Sequence, residues 1–220
     1  MRADLLHAVS CYFNARRNPY LLLNAKTWLE RTQDSGVHVT FVEHQIGDRP
    51  FEFTHEKYPH VNLIQLRGTD AHELWLKEAL TKAGMARLPQ DAKYVCWEDA
   101  DVEHALPAWA AETVQMLQNH RVGQTWSHAI DFGPQGEVMR NEWGNDADRS
   151  FSAAFLAGDL PTPVGNVLIP EAVCKASPVE GYGSGSCGGK AEYKRDFRQH
   201  FGYSWAARRE VLQGIGGLMD

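Results

Sequence analysis

The stretch YVCWEDADVEHALPAWAAETVQMLQ, residues 94–118, sets the fold. It opens with a short apolar run, Tyr94 to Trp97, whose length and β-rich composition suit a buried strand. Glu98, Asp99, Asp101 and Glu103 follow at once as an acidic cluster. Beyond them Leu106, Ala110, Thr113, Val114 and Leu117 recur at helical spacing. An apolar strand that ends in carboxylates and turns into an amphipathic helix is one unit of an alternating α/β chain.

The same alternation runs upstream. Leu6 to Phe13 is β-rich, Asn18-Pro19 supplies a capping side chain and a proline for a first helical turn, and Leu21, Ala25, Trp28 and Leu29 form a stripe that ends before Gly36. VHVTFVE at 37–43 alternates branched and polar residues, as a strand does. Val61 to Leu66 predicts a third strand, and Asp70 with Glu73 opens a second helix in a capping-box arrangement, with Leu76, Ala79, Leu80 and Ala83 on one face. Val122 to Trp126 predicts a fifth strand after the stretch quoted above. Strand and helix repeated with short connections predict right-handed crossovers and a mainly parallel central sheet flanked by helices.

From residue 131 onward the pattern dissolves. GYGSGSCGG at 181–189 reads as a mobile loop, and order resumes with a short strand and a helix in FGYSWAARREVLQGIGGLMD, residues 201–220. The chain therefore divides into an α/β half over 1–130 and an irregular region over 131–220, both in one domain. SGSCGGK does not make a phosphate-binding loop: that motif needs a glycine where Ser184 stands and a hydroxyl where Ala191 stands.

Composition narrows the class. The 220 residues are 43% hydrophobic and 23% charged, which excludes disordered and fibrous chains. No apolar run approaches the ~20 residues of a membrane helix, and MRADLLHAVSCYFN offers no secretory apolar region, so a soluble, cytoplasmic protein without a membrane partner is expected. With 22 basic against 28 acidic residues the formal charge is −6, so a duplex is not the default partner. Cys11, Cys96, Cys174 and Cys187 lack metal-ligand spacing and read as reduced thiols.

In a parallel sheet, ligands bind outside the carboxyl ends of the strands. Glu98, Asp99 and Asp101 fall just past such an end. If the chain stays extended there, Asp99 and Asp101 project to one side and can share Mg²⁺ or Mn²⁺, whose shell is completed by water and substrate phosphates. A solvated acidic turn that caps the following helix is the alternative.

The layout resembles the family 2-like glycosyltransferases of GT-A (Rossmann-like) fold. The resemblance rests on Tyr12-Phe13-Asn14 at the end of the first strand, Glu43 at the end of the second, Asp99-Ala100-Asp101, and the late segment GYSWAARREVLQGIGGLMD. VEHQIGDRPFEFT and LWLKEAL are similar to an uncharacterised subgroup of such proteins in phages and bacteria. It implies a transferase that uses a nucleoside diphosphate sugar, a UDP-sugar being favoured. The acceptor would be a hydroxyl of a glycan, a protein or a modified DNA base. Asp99 and Asp101 would hold Mn²⁺ or Mg²⁺ against the diphosphate. Tyr12, Asn14 and Glu43 would frame base and ribose, Glu43 accepting from a uracil imide, while Arg67, Asp70 and Lys77 would lie near base and phosphates. Asp48 and Arg49 are further candidates without a role. An inverting member needs a carboxylate base after the two glycines, which here means Asp220 or a segment beyond it, the second being favoured. A nucleotidyltransferase and a non-catalytic sugar- or nucleotide-binding module stand as alternatives.

Overall fold

The computed structural model describes residues 5–69, 75–133, 135–140, 147–150, 152–153, 199–200 and 202–215. In chain order, the first unit of secondary structure comprises β1 (Leu6–Phe13), α1 (Pro19–Thr32), β2 (His38–Ile46), β3 (Val61–Gly68), α2 (Lys77–Met85), β4 (Tyr94–Glu98), α3 (Trp109–Asn119) and β5 (Val122–Gln124). Short strands follow: β6 (His128–Ala129), β7 (Asp131–Phe132), β8 (Val138–Met139), β9 (Asp148–Ser150) and β10 (Gln199–His200). The last elements are β11 (Ser204–Arg208) and α4 (Arg209–Gly214).

The expected α/β architecture is present. A six-stranded sheet runs β3-β2-β1-β4-β11-β5. β1 pairs in parallel with β2 and β4, and β2 pairs in parallel with β3. β11 is antiparallel to both β4 and β5. The fifth strand therefore shares the direction of β4 but reaches the sheet only through β11, an arrangement that local periodicity does not announce.

The chain forms two compact units, Met1–Thr125 with Tyr203–Asp220, and Trp126–Gly202. The sequence reading divided the chain at 130 and kept its last segment with the irregular region, whereas β11 returns to the sheet of the first unit. Within the second unit β9 joins β10 and β6 in a three-stranded sheet, and β7 pairs with β8. The glycine-rich stretch at 181–189, Asp70, Glu73 and Asp220 lie outside the described residues. Among the described residues, no helix is long and apolar enough to cross a membrane.

Adjacent residues of a strand face opposite sides of the sheet, so both faces need cover. On one face Ala25, Trp28 and Leu29 of α1 bury against Val39, Phe41, Val61 and Leu63. On the same face Trp109, Ala110 and Leu117 of α3 bury against Leu6, Cys96 and Ala206. On the other, Leu80 of α2 meets Val42 and Ile64, while Leu212 of α4 joins Val9, Val95 and Ala207. Cover on both sides explains why β2 is buried from Val39 to Ile46 and does not alternate as its sequence suggested.

Helix α1 starts as expected, with Asn18 as cap accepting from the amide of Tyr20 at 3.0 Å and Pro19 in the first turn. Helix α2 is different. Its described span opens at Lys77 without a side-chain cap, and it buries Leu80, Thr81 and Gly84, so the buried face is rotated away from Ala79. Gly84 permits that approach: a Cβ there would lie 2.6 Å from Val9 Cγ1 and 3.0 Å from Val42 Cγ2. Both neighbours are β-branched and stiff. Gly84→Ala is therefore expected to destabilise the fold by about 1–3 kcal/mol, the overpacking outweighing the ~1 kcal/mol gain in helix propensity. Urea unfolding measures this, and a more stable variant would show that α2 can lift off the sheet at little cost.

Candidate functional site

From β1 the chain moves outward to β2 and β3, then returns to β4 on the other side of β1. That reversal is the topological switch point of the sheet. In open α/β sheets ligands bind outside the carboxyl ends of the strands at such a point.

Strand β4 ends in Glu98. The sequence placed this residue beyond the strand, but it is the last strand residue and its carboxylate is fully buried. The carboxylate accepts from Trp28 Nε1 at 2.9 Å and Ser204 Oγ at 2.8 Å, and it pairs with His104 Nε2 at 2.9 Å. Thr125 Oγ1 donates to Ser204 at 2.7 Å, and Ser10 Oγ donates to the Glu98 carbonyl at 2.7 Å. His104 stacks on Trp109 with ring centroids 3.8 Å apart. Side chains from α1, from the loop after β4 and from β11 thus converge on one carboxylate, while β1 holds the Glu98 carbonyl, and together they fix the direction in which the chain leaves the sheet.

The chain leaves as a turn. The amide of Asp99 donates to the carbonyl of Tyr203 at 2.9 Å, and the amide of Val102 donates back to Asp99 at 3.2 Å. Asp99 and Asp101 are therefore presented by a tight turn, and the extended geometry assumed from their spacing does not occur. Asp101 is exposed, Asp99 is about one-third exposed, and the Asp99 carboxylate forms an ion pair with Lys77 at the start of α2. Three of the residues named from sequence, Lys77, Asp99 and Asp101, are thus gathered at the switch point.

The other named residues brace the rim. Tyr12 is buried, its ring edge-on to Phe53 at 5.2 Å, and burial raises its hydroxyl pKa. Asn14 donates to the Tyr12 hydroxyl at 3.0 Å and to the Asn18 carbonyl at 2.7 Å, and accepts from the Asn18 amide at 2.8 Å. Both ends of its amide thus close the 14–18 loop, in which Arg17 takes a left-handed φ of 53°. Glu43 is fully buried and accepts from Gln45, Gln65 and the amides of Glu52 and Phe53. Arg67 donates to the carbonyls of Gly47 and Arg49 and lies over the Phe51 ring at 4.4 Å.

Arg49, named from the sequence without a role, donates to the Ala15 carbonyl at 3.1 Å and ties this loop to the end of β1. With Phe13, Asn14, Ala15, His44 and Leu76 it lines a small cavity at the carboxyl ends of β1 and β2.

Sequence reasoning missed the Glu98 network and Trp75. Trp75 is 71% exposed and stands perpendicular to Phe13 at a centroid distance of 5.5 Å. The one signal for it was an indole immediately before the polar start of α2. Cys11 lies against the start of α2, and burial pushes its thiol up to about 12, while burial, with Glu98 beside it, also raises Cys96 well above the ordinary thiol value. Neither thiol is a nucleophile at neutral pH.

The order β3-β2-β1-β4 in parallel, with an antiparallel strand next to β4, defines the class as a doubly wound, Rossmann-like α/β sheet. No protein-family model matches the chain, and no curated protein matches it. Among solved structures it is similar to a mannosyltransferase from Pyrobaculum calidifontis in complex with GDP-Man and Mn²⁺, at 13% identity and a TM-score of 0.46. The match covers 97% of this chain and 47% of that one. It is also similar to a protein of Mycobacterium tuberculosis H37Rv, at 13% identity and a TM-score of 0.38, over 56% of this chain and 65% of the other. A third similarity is to 4-diphosphocytidyl-2C-methyl-D-erythritol synthase from Anaerococcus prevotii, at 12% identity and a TM-score of 0.35, over 61% and 62% of the two chains. The chain spans about half the length of the mannosyltransferase. At such identities and scores these likenesses lend no weight to any role assigned to a residue.

The donor set can be tested against a metal ion. Among the described residues no group of three or more His, Cys, Asp or Glu side chains could hold one. Mg²⁺ or Mn²⁺ needs only one or two carboxylates and fills its shell with water and phosphate oxygens. Asp99 is paired with the Lys77 ammonium, so a metal ion there would have to displace that cation, which would then stand free for the phosphates.

Proposed function

We propose that this chain carries the donor site of a metal-dependent, inverting glycosyltransferase that moves a sugar from a nucleoside diphosphate sugar to an acceptor hydroxyl. The observation that carries the proposal is the turn at the end of β4, where Asp99 and Asp101 stand at the switch point of the sheet opposite Lys77. Asp99 and Asp101 would hold Mn²⁺ or Mg²⁺. When bound, such an ion supplies Lewis-acid neutralisation of the charge on the departing diphosphate.

The chain's own groups do the rest. Lys77 adds a second positive charge for the phosphates beside Asp99. Trp75, exposed against Phe13, offers an indole face on which a nucleobase can stack. Arg49, Asn14 and Arg67 keep the rim in place through the carbonyl contacts described above. In the transfer the acceptor oxygen bonds to the anomeric carbon, the carbon–oxygen bond to phosphate breaks with its electron pair on the diphosphate, and a carboxylate takes the hydroxyl proton. Asp220 or a carboxylate in a segment beyond it is the candidate for that base.

Thermal unfolding of the whole chain with UDP, GDP, CDP and a nucleoside triphosphate, each with and without Mn²⁺, tests the reading. A midpoint raised by one nucleoside diphosphate only with Mn²⁺, UDP being the first candidate, is the expected result. A response to a triphosphate alone would favour the nucleotidyltransferase alternative. Indifference to every nucleotide would favour a binding module without this chemistry.

A further inference from the structure

The opposite end of the sheet holds a second cavity, of about 460 Å³, that the donor site does not use. Its wall comes from the amino ends of β1, β2 and β3 and from the loop between α2 and β4. His7, His38, His60, Arg87 and Lys93 line it, with Asp91 as the single carboxylate among the described residues of its wall. In a chain whose formal charge is −6, this is a local reversal of sign. A concave site with an excess of cations concentrates anions.

The histidines are placed by the strand register. His7 and His38 are direct partners on parallel strands, and their rings stack with centroids 5.0 Å apart at 24°. His60 spends Nε2 on the carbonyl of Leu29 at 3.0 Å, and its buried Nδ1 has no protein partner. Arg87 and Lys93 are both exposed at the rim. The volume is within the range of small-molecule sites, roughly 300–1,000 Å³.

We propose that this cavity binds the phosphate group of a small molecule, held by Arg87 and Lys93 and by the stacked imidazoles of His7 and His38. The assignment is independent of the donor site, because no residue is shared between them. Guanidinium, ammonium and imidazolium donors give short, charge-assisted bonds to phosphate oxygens.

The electrostatics give this a pH signature. His7 is held below the ordinary imidazole value of 6.5, by burial first and by His38 next, with Arg209 adding to the effect and Asp91 opposing it. In the free protein the unfolded chain therefore takes up the proton first, and stability contributed by neutral His7 is lost as pH falls below about 6.5. A bound phosphate reverses the balance, since it favours the protonated ring. Affinity for phosphate should rise as pH falls through the same interval.

The test is titration of the whole chain with inorganic phosphate, without divalent metal, following the His7 and His38 ring signals by NMR together with thermal stability. Expected results are saturable shifts of both rings, a raised His7 pKa, and stabilisation that grows toward acid pH. Arg87→Ala with Lys93→Ala, both exposed and safe for folding, should weaken binding by at least about tenfold. The same double variant should keep its Mn²⁺-dependent response to a nucleoside diphosphate, which separates failure here from failure of the donor site. Ring signals that ignore phosphate, or equal affinity in the double variant, would overturn the assignment. Sulfate, a dianion of the same tetrahedral shape that does not titrate near neutrality, distinguishes general anion capture from phosphate. Equal binding of sulfate would overturn the phosphate assignment.

Discussion

Glu43→Ala is expected to lower stability by about 3–5 kcal/mol. The carboxylate is fully buried, and each oxygen accepts twice. Oε1 takes Gln45 Nε2 at 3.0 Å and the Glu52 amide at 2.6 Å, while Oε2 takes the Phe53 amide at 3.3 Å and Gln65 Nε2 at 3.1 Å. Truncation strands two backbone and two side-chain donors in a site sealed by Phe53, each unsatisfied group costing about 1–3 kcal/mol before relaxation. Glu43→Gln should recover only part of the loss, because its NH₂ would face donors. Denaturant unfolding measures both variants. The result also decides between two uses of this residue. A reader of the nucleobase would leave stability near wild type on removal and strip nucleotide binding, whereas a loop clamp would do the reverse.

Asp101→Ala is expected to weaken Mn²⁺-dependent nucleotide binding by about 100-fold or more while the fold survives. The side chain is exposed on a turn whose backbone is held by Tyr203 and by its own Val102-to-Asp99 bond, so its loss removes charge from the site and little from the core. At nucleotide near 100 times Kd the wild type should gain about 2.7 kcal/mol from the ligand, and the variant almost none. Asp99→Asn should act in the same direction and, in addition, release Lys77 from its ion pair. Calorimetric titration with Mn²⁺ present and absent provides the measurement. Undiminished metal-dependent binding in Asp101→Ala would refute the role given to this turn.

The sequence was most readable where local rules act alone. Asn18-Pro19 and the stripe through Ala25, Trp28 and Leu29 describe α1 as it is, although Leu21, expected on the same stripe, is exposed in the first turn. Tyr94 to Trp97 marks β4, and the carboxylates after it mark the turn. Legibility fell where long-range contact decides. Nothing in SWAAR announces a strand that inserts antiparallel between β4 and β5, because its partners are set by the whole sheet. Burial of β2 on both faces hid its alternation in the same way.

The site followed the same division. Lys77, Asp99 and Asp101 were found from residue type and position. The acceptor at their base, Glu98, looked like one more surface carboxylate, since Trp28, His104 and Ser204 come from three distant parts of the chain. Asn14, Glu43 and Arg67 were expected to meet the nucleotide, and Glu43, expected at the end of its strand, lies inside β2, which runs on to Ile46. Their visible hydrogen bonds go to loops that local periodicity cannot place.

The path between β5 and β11 has a consequence for how such proteins can diversify. The chain departs at Thr125 and re-enters at Tyr203, and the two edges are stitched together by the Thr125-to-Ser204 bond of 2.7 Å. Once both anchors are fixed, the entropy of closing the excursion grows only logarithmically, by about 0.6 kcal/mol for each doubling of its length. The detour is thus the cheapest place in the molecule to lengthen, shorten or graft, and new specificities can be installed there without disturbing the strands on either side.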